Sequence, residues 1–213
     1  MRDVMRLRVG DGVALLDRDG SEHAGVIDRY DRDRALIKVS SSSAARSDPR
    51  LILAAAIIKG PRMDLIVEKA AELGATELWP VVCARGLVKS PGSERLLRWR
   101  RLAIAAAKQS LSPRSMEVRA PIAFADLIRN APKDTLALIC QIGGEPLGEV
   151  IRRVAPLAIL IACGPEGDFD REERASAEAA GFVAAGLGPN RLRSETAAIA
   201  ALSIAVASRH AAR

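Results

Sequence analysis

Two glycine-bearing loops in the last third of the chain carry the residue types that could do chemistry. The first is Gly164-Pro165-Glu166-Gly167, which follows the apolar run 157–163. The second lies within 187–197 and follows the apolar run 182–187. Glycines permit positive φ or a close approach of the backbone to a ligand. Because each loop follows a predicted strand and opens a predicted helix, a ligand site is the first hypothesis.

The residues after the first loop are acidic. Asp170 and Glu173 have the spacing of a capping box, in which each side chain accepts a hydrogen bond from the other residue's backbone amide. A helix N-terminus usually attracts phosphate, but Asp168, Asp170, Glu172 and Glu173 would repel it. The loop therefore favours a neutral or cationic ligand over a dinucleotide. The alternative is a well-capped turn with no ligand.

The second loop supplies charged side chains beside a helix start. We expect Ser194 to cap the last helix and Glu195 to lie in its first turn, where an acid is favourable. Arg193 precedes this cap, so its guanidinium could point toward whatever the loops enclose. Alternatively, Arg193 only pairs with Glu195 or Glu166.

The net charge of +6 is concentrated in the middle of the chain. Residues 59–114 carry eleven basic and five acidic residues, whereas residues 1–58 and 115–213 are nearly balanced. Such a basic block is typical of a surface that binds a phosphate backbone. A solvated basic helix is the alternative.

Metal and membrane sites are not expected. The three cysteines lie in or at the end of apolar runs without a CxxC pair, and the chain has only two histidines. The longest uncharged apolar run, 197–207, is shorter than the ~20 residues that span a bilayer. Reduced thiols and the absence of a signal-peptide pattern predict a cytoplasmic protein.

The elements that must position these loops alternate along the chain from residue 51. Predicted strands are 51–58, 77–82, 135–141, 157–163 and 182–187. Predicted helices are 63–73, 93–110, 124–130, 147–154, 171–180 and 195–209. Near-continuous apolar strands between helices indicate an α/β fold with a mostly parallel sheet covered on both faces.

The N-terminal part reads differently. Short strands at 13–16, 24–28 and 35–39 predict a small β unit without a self-sufficient core. The polar, Ser-rich stretch 40–47, which ends near Pro49, is the best candidate for a boundary. We therefore expect two domains, 1–47 and 48–213.

Together, these motifs resemble the SPOUT superfamily of methyltransferases, and most closely the bacterial 16S ribosomal RNA uridine N3-methyltransferases. The resemblance rests on both loops and extends to most of the chain. Its other segments are 4–6, Gly10-Asp11, Lys59-Gly60, 69–74, Pro80, Arg85, Lys89, Trp99-Arg100, 104–106 and Gln109-Ser110.

The resemblance implies a C-terminal SPOUT domain with a deep trefoil knot and an N-terminal PUA-like β-barrel that binds RNA. This chain begins later than the family pattern, which indicates either a mis-set start codon or a shortened barrel. The resemblance also implies a homodimer and S-adenosylmethionine as the methyl donor. The expected reaction is methylation of uridine N3 in 16S ribosomal RNA of the small subunit.

The resemblance and the basic block together give candidate site residues. Those expected to bind the cofactor are Gly164, Pro165, Glu166, Gly167, Leu187, Gly188, Leu192, Thr196 and Ala197. Those expected to contact RNA are Arg6, Arg8, Lys59, Arg62, Arg85, Lys89, Arg98 and Arg101. The proton on uracil N3 must leave, so Arg193, which could stabilise the anion, and Glu195, which could accept the proton, are the catalytic candidates. Glu166 is an alternative proton acceptor. Glu195 could instead only cap the helix or shape the pocket.

Two departures bear on these expectations. Ser112 stands where the family commonly has Arg, which could alter substrate contacts, and Asp168 stands where Gly is usual, which could narrow or recharge the pocket. Two other functions stay open: a SPOUT ribose 2′-O-methyltransferase, and an RNA-binding protein without enzymatic activity. A Rossmann dehydrogenase is disfavoured because Gly143-Gly144 and Gly148 do not form GxGxxG.

Overall fold

The protein is represented by a computed structural model, which describes residues 7–16, 21–32, 34–43, 50–112 and 114–210. The chain divides into two compact units. One falls within Met1–Asp48 and takes in Pro113–Ser115, and the other comprises Pro49–Ser112 and Met116–Arg213. This differs from the predicted domains, which placed the short segment Pro113–Ser115 in the second one.

The first unit is a three-stranded antiparallel sheet in the order β1-β2-β3. Its strands are β1 (Gly12–Leu16), β2 (Glu22–Asp31) and β3 (Arg34–Ser43). Gly25 lets β2 and β3 approach closely, because a Cβ there would lie 2.6 Å from the carbonyl oxygen of Lys38. Of the described hydrophobic side chains in this sheet, only Ile27 is buried. The prediction of a small β unit without a large core is confirmed.

The Ser-rich stretch 40–47, the predicted boundary, begins inside a strand, whereas the two units divide between Asp48 and Pro49. Ser40, Ser41, Ser42 and Ser43 belong to β3, where Ser41, Ser42 and Ser43 pair with the beginning of β2. The serine side chains there are exposed, so a polar composition suits an outward-facing strand as well as a linker. Residues 44–49, which include the remainder of the stretch and Pro49, lie outside the described residues.

The second unit alternates strands and helices, as predicted. Its strands are β4 (Arg50–Ala56), β5 (Glu77–Val82), β6 (Glu117–Val118), β7 (Ile122–Ala123), β8 (Leu136–Pro146), β9 (Ala158–Cys163) and β10 (Val183–Gly186). Its helices are α1 (Pro61–Glu72), α2 (Ser93–Gln109), α3 (Phe124–Asn130), α4 (Leu147–Val154), α5 (Arg171–Ala179) and α6 (Ser194–His210). The two-residue strands β6 and β7 were not predicted, because two residues carry no periodicity.

The strands of this unit form one seven-stranded sheet in the order β10-β8-β9-β4-β5-β6, with β7 also paired to β5. All of its described strand pairs are parallel, as the continuous apolar runs predicted. The pairing of β10 with β8 shifts register between Ala184 and Ala185. Glycines are needed at this shift, since a Cβ on Gly144 would lie 2.7 Å from the backbone of Ala185.

The central strand β4 shows why both faces of the sheet are covered. Its alternate residues Leu51, Leu53 and Ala55 enter one hydrophobic core, and Ile52, Ala54 and Ala56 enter another. Buried side chains from α1, α2, α4 and α6 contribute to the first core, and those from α3 and α5 to the second. The sheet is therefore the middle layer of three, and the loops at its strand ends are held rigidly.

Within the described residues, every helix is too short or too polar to cross a lipid bilayer.

Candidate functional site

The two glycine-bearing loops meet in one cavity of about 260 Å³. The loop after β9 and the loop after β10 form two of its walls, and residues 140–142 of β8 form a third. Loops that follow parallel strands gather at one edge of a sheet, which is where α/β proteins bind ligands. The lining residues are Arg85, Cys140, Gln141, Ile142, Gly164, Pro165, Glu166, Gly167, Asp168, Leu187, Gly188, Asn190, Arg191, Leu192, Ser194 and Ala197.

Asp168 gives the first loop its shape. Its φ of 62° is in the left-handed region, which explains why a glycine is favoured at this place. Its amide donates to the carbonyl of Pro165 at 2.9 Å, closing the turn. Its carboxylate accepts a hydrogen bond from the amide of Phe169 at 2.7 Å and lies 3.3 Å from Arg174. The negative charge that Asp168 was predicted to add to the pocket is therefore partly offset by Arg174 of α5.

The predicted capping box at the start of α5 is confirmed. Asp170 accepts from the amide of Glu173 at 2.7 Å, and Glu173 accepts from the amide of Asp170 at 3.0 Å. The buried Glu173 also accepts from the amide of Ala84 at 2.8 Å, which joins α5 to the end of β5. Two amides that could have bound a phosphate at this N-terminus are thus already satisfied by carboxylates. The cavity fits a neutral or cationic ligand better than a phosphate.

The predicted cap of the last helix is wrong. The carbonyl of Arg193 accepts the first helical bond, from the amide of Ala197 at 2.8 Å, so Arg193 occupies the cap position and Ser194 is the first helical residue. The Ser194 side chain is only 5% exposed, and its Oγ has no hydrogen-bond partner among the described residues. Because Ser194 also lines the cavity, its hydroxyl is a buried polar group in a position to bond a ligand.

Glu195 is buried beside the cavity rather than in its lining. The residue is 8% exposed, and within the described structure its Oε2 makes no hydrogen bond, although Arg62 Nη1 lies 3.8 Å away. A second nitrogen of Arg62 lies 2.7 Å from Oε1 of Glu166, which does line the cavity. One guanidinium from α1 thus serves carboxylates from both loops. Residue spacing gave no signal for this contact, since Arg62 is remote from both loops in the chain.

Eight of the nine predicted cofactor residues line the cavity; Thr196 is exposed and does not. Arg193 is also exposed and outside the lining. Within the described residues, Glu166 and Glu195 form their ion pairs with Arg62, so the alternative that Arg193 only pairs with these acids has no support there. Sequence reasoning missed Arg85, Gln141 and Ser194 as wall residues.

The residues predicted to contact RNA have different surroundings. Arg62 pairs with acids at the cavity, Arg98 pairs with Asp64 at 2.8 Å, and Lys89 donates to the carbonyl of Ala84 at 2.7 Å. Arg85 lines the cavity and donates to the carbonyl of Gly167 at 3.1 Å. Three further predicted contacts are exposed, namely Arg8, Lys59 and Arg101. The remaining one, Arg6, lies outside the described residues.

Two thiols lie under the cavity floor. The Sγ atoms of Cys140 and Cys163, on neighbouring strands β8 and β9, are 3.7 Å apart and buried. The contact with Cys163, together with burial, raises the pKa of Cys140 well above its usual value. Cys140 therefore lines the cavity as a neutral thiol. The described part of the chain contains no group of three or more His, Cys, Asp or Glu side chains that could hold a metal.

Comparison with known proteins agrees with this geometry. A family model described as an RNA methyltransferase domain matches residues 46–206. The chain is 32% identical to the ribosomal RNA small subunit methyltransferase E of Synechocystis over 95% of this chain and 68% of that protein. It is 28% identical to the Bacillus subtilis protein of the same name over 94% of this chain and 83% of that protein.

Solved structures resemble the whole chain. One is the Neisseria gonorrhoeae ribosomal RNA small subunit methyltransferase E bound to S-adenosylmethionine, with a TM-score of 0.82, 31% identity, and coverage of 95% of this chain and 85% of that one. Another is a Legionella pneumophila methyltransferase with S-adenosylmethionine bound, with a TM-score of 0.77, 30% identity, and coverage of 97% and 86%. The matched domain contains both loops of the cavity, and this chain belongs to the RNA methyltransferase family.

Proposed function

We propose that the protein transfers the methyl group of S-adenosylmethionine to N3 of a uridine in 16S ribosomal RNA of the small ribosomal subunit. The observation that carries this proposal is the cavity between the two glycine-bearing loops, with the orphaned hydroxyl of Ser194 in its wall. Family membership supports the class of reaction. The uridine N3 target rests on the resemblance of the motifs.

The chemistry of the cavity fits this cofactor. Glu166 and Asp168 give it a partly acidic wall, which is compatible with a cationic sulfonium, while Ile142, Leu187 and Leu192 are apolar partners for an adenosine. We assign its binding to the eight predicted residues that line the cavity, namely Gly164, Pro165, Glu166, Gly167, Leu187, Gly188, Leu192 and Ala197. The bound cofactor would supply an electrophilic methyl group on sulfur. The protein's part is to hold the uridine in line with that methyl group.

Glu195 and Arg193 are the proposed catalytic residues. Uracil N3 carries a proton that must leave, and Glu195 has a buried carboxylate oxygen without a hydrogen-bond partner among the described residues. Arg193 is exposed at the start of α6, where its guanidinium is accessible to RNA and could stabilise the uridine anion. The two residues lie on either side of Ser194, so the helix start places both next to the cavity wall.

RNA binding is assigned to both units. Residues 1–47 are proposed to belong to a PUA-like barrel, and their described antiparallel strands are compatible with that assignment. Residues 48–213 are proposed to form the SPOUT domain with a C-terminal trefoil knot. In this second unit, the predicted RNA contacts with exposed side chains and no internal partner among the described residues are Lys59 and Arg101.

A cytoplasmic homodimer is proposed as the working form. Ile142 is 61% exposed although it lines the cavity, and a second copy that covered it would close the mouth. The Ala-rich helix α6 suits close packing, either across that interface or within the monomer.

Calorimetric titration with S-adenosylmethionine is the first test. We expect saturable binding near one equivalent per chain for the protein and for Arg193→Ala, because Arg193 does not line the cavity. Absence of binding at millimolar cofactor would overturn the enzymatic proposal and favour an RNA-binding protein.

Nucleoside analysis of treated small subunits is the second test. We expect 3-methyluridine from the protein and a roughly 10²–10³-fold slower rate from Arg193→Ala. A 2′-O-methylated nucleoside instead would assign the protein to the ribose methyltransferases.

A further inference from the structure

A second cleft, of about 640 Å³, lies at the edge of the sheet formed by β5, β6 and β7. It shares no lining residue with the cofactor cavity. Its walls come from four segments of the second unit, namely β5, α2, the β6–β7 region and the end of α3. The lining residues are Trp79, Arg100, Glu117, Arg119, Ala120, Ile122 and Asn130.

A buried carboxylate organises one wall of this cleft. Glu77 is 7% exposed, and it accepts hydrogen bonds from Arg50 Nε at 2.6 Å and from the indole Nε1 of Trp79 at 2.8 Å. Its Oε2 also lies 2.7 Å from Nε of Arg119. The carboxylate is therefore shared by two cations and an indole, and its ion pair with Arg119 brings that guanidinium to the wall of the cleft, although Arg119 Nε makes no hydrogen bond within the described residues.

The ring of Trp79 contacts the same guanidinium. The Cζ atom of Arg119 lies 4.8 Å from the centroid of the indole, a distance typical of a cation–π contact. Trp79 itself is buried, so the arginine rather than the ring faces the solvent. Among the described residues, the contacts of Arg119 involve Nε and Cζ, which leaves its two terminal Nη groups for the cleft.

Arg100, which also lines the cleft, is anchored by a hydrogen bond to the backbone. Its Nε donates to the carbonyl of Val118 at 3.1 Å, which fixes the side chain of this exposed α2 residue against β6. Asn130 adds an amide at the end of α3. The one acid in the lining, Glu117, has a side chain that is 65% exposed, so solvent screens its charge.

We propose that this cleft binds a phosphate group through the Nη groups of Arg100 and Arg119. A guanidinium that is anchored through Nε, by a hydrogen bond in Arg100 and by an ion pair in Arg119, presents a planar pair of Nη donors, the geometry that phosphate oxygens accept bidentately. Two such guanidinium groups lower the conformational entropy lost on binding, since both side chains are already anchored before the phosphate arrives. The phosphate comes either from an RNA backbone or from a free phosphate compound. The site does not depend on methyl transfer.

Nitrogen–proton correlation spectra give a direct readout, because the chain has two tryptophans. The indole of Trp79 bonds Glu77 in the cleft network, and the indole of Trp99 donates to Asp64 at 3.1 Å, away from the cleft, as an internal control. The uniformly labelled full chain is titrated with inorganic phosphate, with sodium chloride adjusted to constant ionic strength. We expect the chemical shift of the Trp79 indole signal to change saturably with phosphate, while that of the Trp99 signal does not change.

Three variants make the titration decisive. Arg100→Gln removes one guanidinium of the cleft without changing the contacts of Glu77. Arg119→Gln removes the other and leaves Glu77 paired with Arg50. We expect each substitution to weaken phosphate binding at least tenfold. Arg129→Gln on α3 loses a cation that pairs with Asp126 outside the cleft, and it is expected to bind like the parent. Equal weakening by Arg129→Gln, or a Trp79 signal that does not respond to phosphate, would overturn the proposal.

A short single-stranded RNA distinguishes the two sources. If the RNA displaces phosphate, the cleft binds the RNA backbone. In that case the affinity of Arg100→Gln for RNA should depend less steeply on salt, by about one phosphate contact. Phosphate binding that the RNA leaves unchanged would assign it to a free phosphate compound.

Discussion

The guanidinium of Arg62 lies 2.7 Å from the carboxylate of Glu166, so α1 is joined to the loop that follows β9. The same guanidinium lies 3.8 Å from Glu195, at the start of α6. The three residues are distant in sequence, and their charges link three segments around the cofactor cavity. Both partners of the shorter pair are about one-third exposed, so the pair orients the loop more than it stabilises the fold.

Arg62→Gln is expected to weaken binding of S-adenosylmethionine, because Glu166 loses the cation that orients it in the cavity wall. Glu166→Gln and the double variant complete a thermodynamic cycle, for which we expect a coupling free energy of about 1 kcal/mol, roughly fivefold in affinity. Calorimetry measures all four proteins. Arg62→Lys serves as the conservative control and should recover part of the loss.

The same variants test the assignment of Arg62 as an RNA contact. If its guanidinium bound a phosphate, Arg62→Gln would reduce the salt dependence of RNA binding by about one contact and leave cofactor affinity unchanged. That result, together with zero coupling to Glu166, would contradict a role in orienting the loop.

Ser194→Ala is expected to separate ligand binding from stability. The hydroxyl has no hydrogen-bond partner among the described residues, so its removal should leave the Tm of the free protein unchanged or slightly higher. If a ligand bonds that hydroxyl, its affinity should fall by about 1 kcal/mol, or fivefold. Ser203→Ala, on the same helix, loses a bond to the carbonyl of Ile199 and is the matched control. Unchanged cofactor affinity in Ser194→Ala would remove this residue from the site.

Local patterns predicted most of the second unit and both loops of the cavity. Buried parallel strands read as apolar runs, and the capping box of Asp170 and Glu173 depends on a spacing of three residues. The cap of α6 was misplaced by one residue because Ser194 is a favourable cap by type, whereas the backbone places Arg193 there. Contacts between distant segments, such as Arg62 with Glu166, have no local signature, since a charged residue does not reveal which of many opposite charges it meets.

Asp170→Ala is expected to lower the free energy of unfolding by about 1 kcal/mol, because the amide of Glu173 loses its acceptor and the capping box opens. Urea denaturation followed by circular dichroism measures the change. Glu172→Ala is the control, since Glu172 is an exposed acid in the same turn and outside the box. A smaller loss for Asp170→Ala than for Glu172→Ala would contradict the capping assignment.

The thiol of Cys140 is expected to resist alkylation in the folded protein at pH 8. Contact with Cys163 and burial raise its pKa, so the reactive thiolate is scarce. The neutral thiol contributes stability that is complete below the unfolded pKa of ~8.5 and is lost as the pH rises toward the folded value. Iodoacetamide labelling with mass spectrometry, in the absence and presence of urea, tests this. Rapid labelling of Cys140 without urea would contradict the prediction.

Ala155→Gly is expected to stabilise the protein although it removes a methyl group. Ala155 caps α4 in the left-handed conformation, with φ of 47° and its amide bonded to the carbonyl of Ile151. The Cβ in that conformation costs roughly 1–2 kcal/mol, and glycine removes the cost while adding about 0.5–1 kcal/mol of unfolded-chain entropy. The net gain should be about 0.5–1 kcal/mol by the same reckoning. Ala175→Gly, at an exposed position in the middle of α5, is the matched control, and it should be destabilised by ~1 kcal/mol. Thermal unfolding of both variants and the parent tests this, and the two substitutions should change Tm in opposite directions. A loss of stability in both variants would show that the left-handed conformation at residue 155 carries little strain.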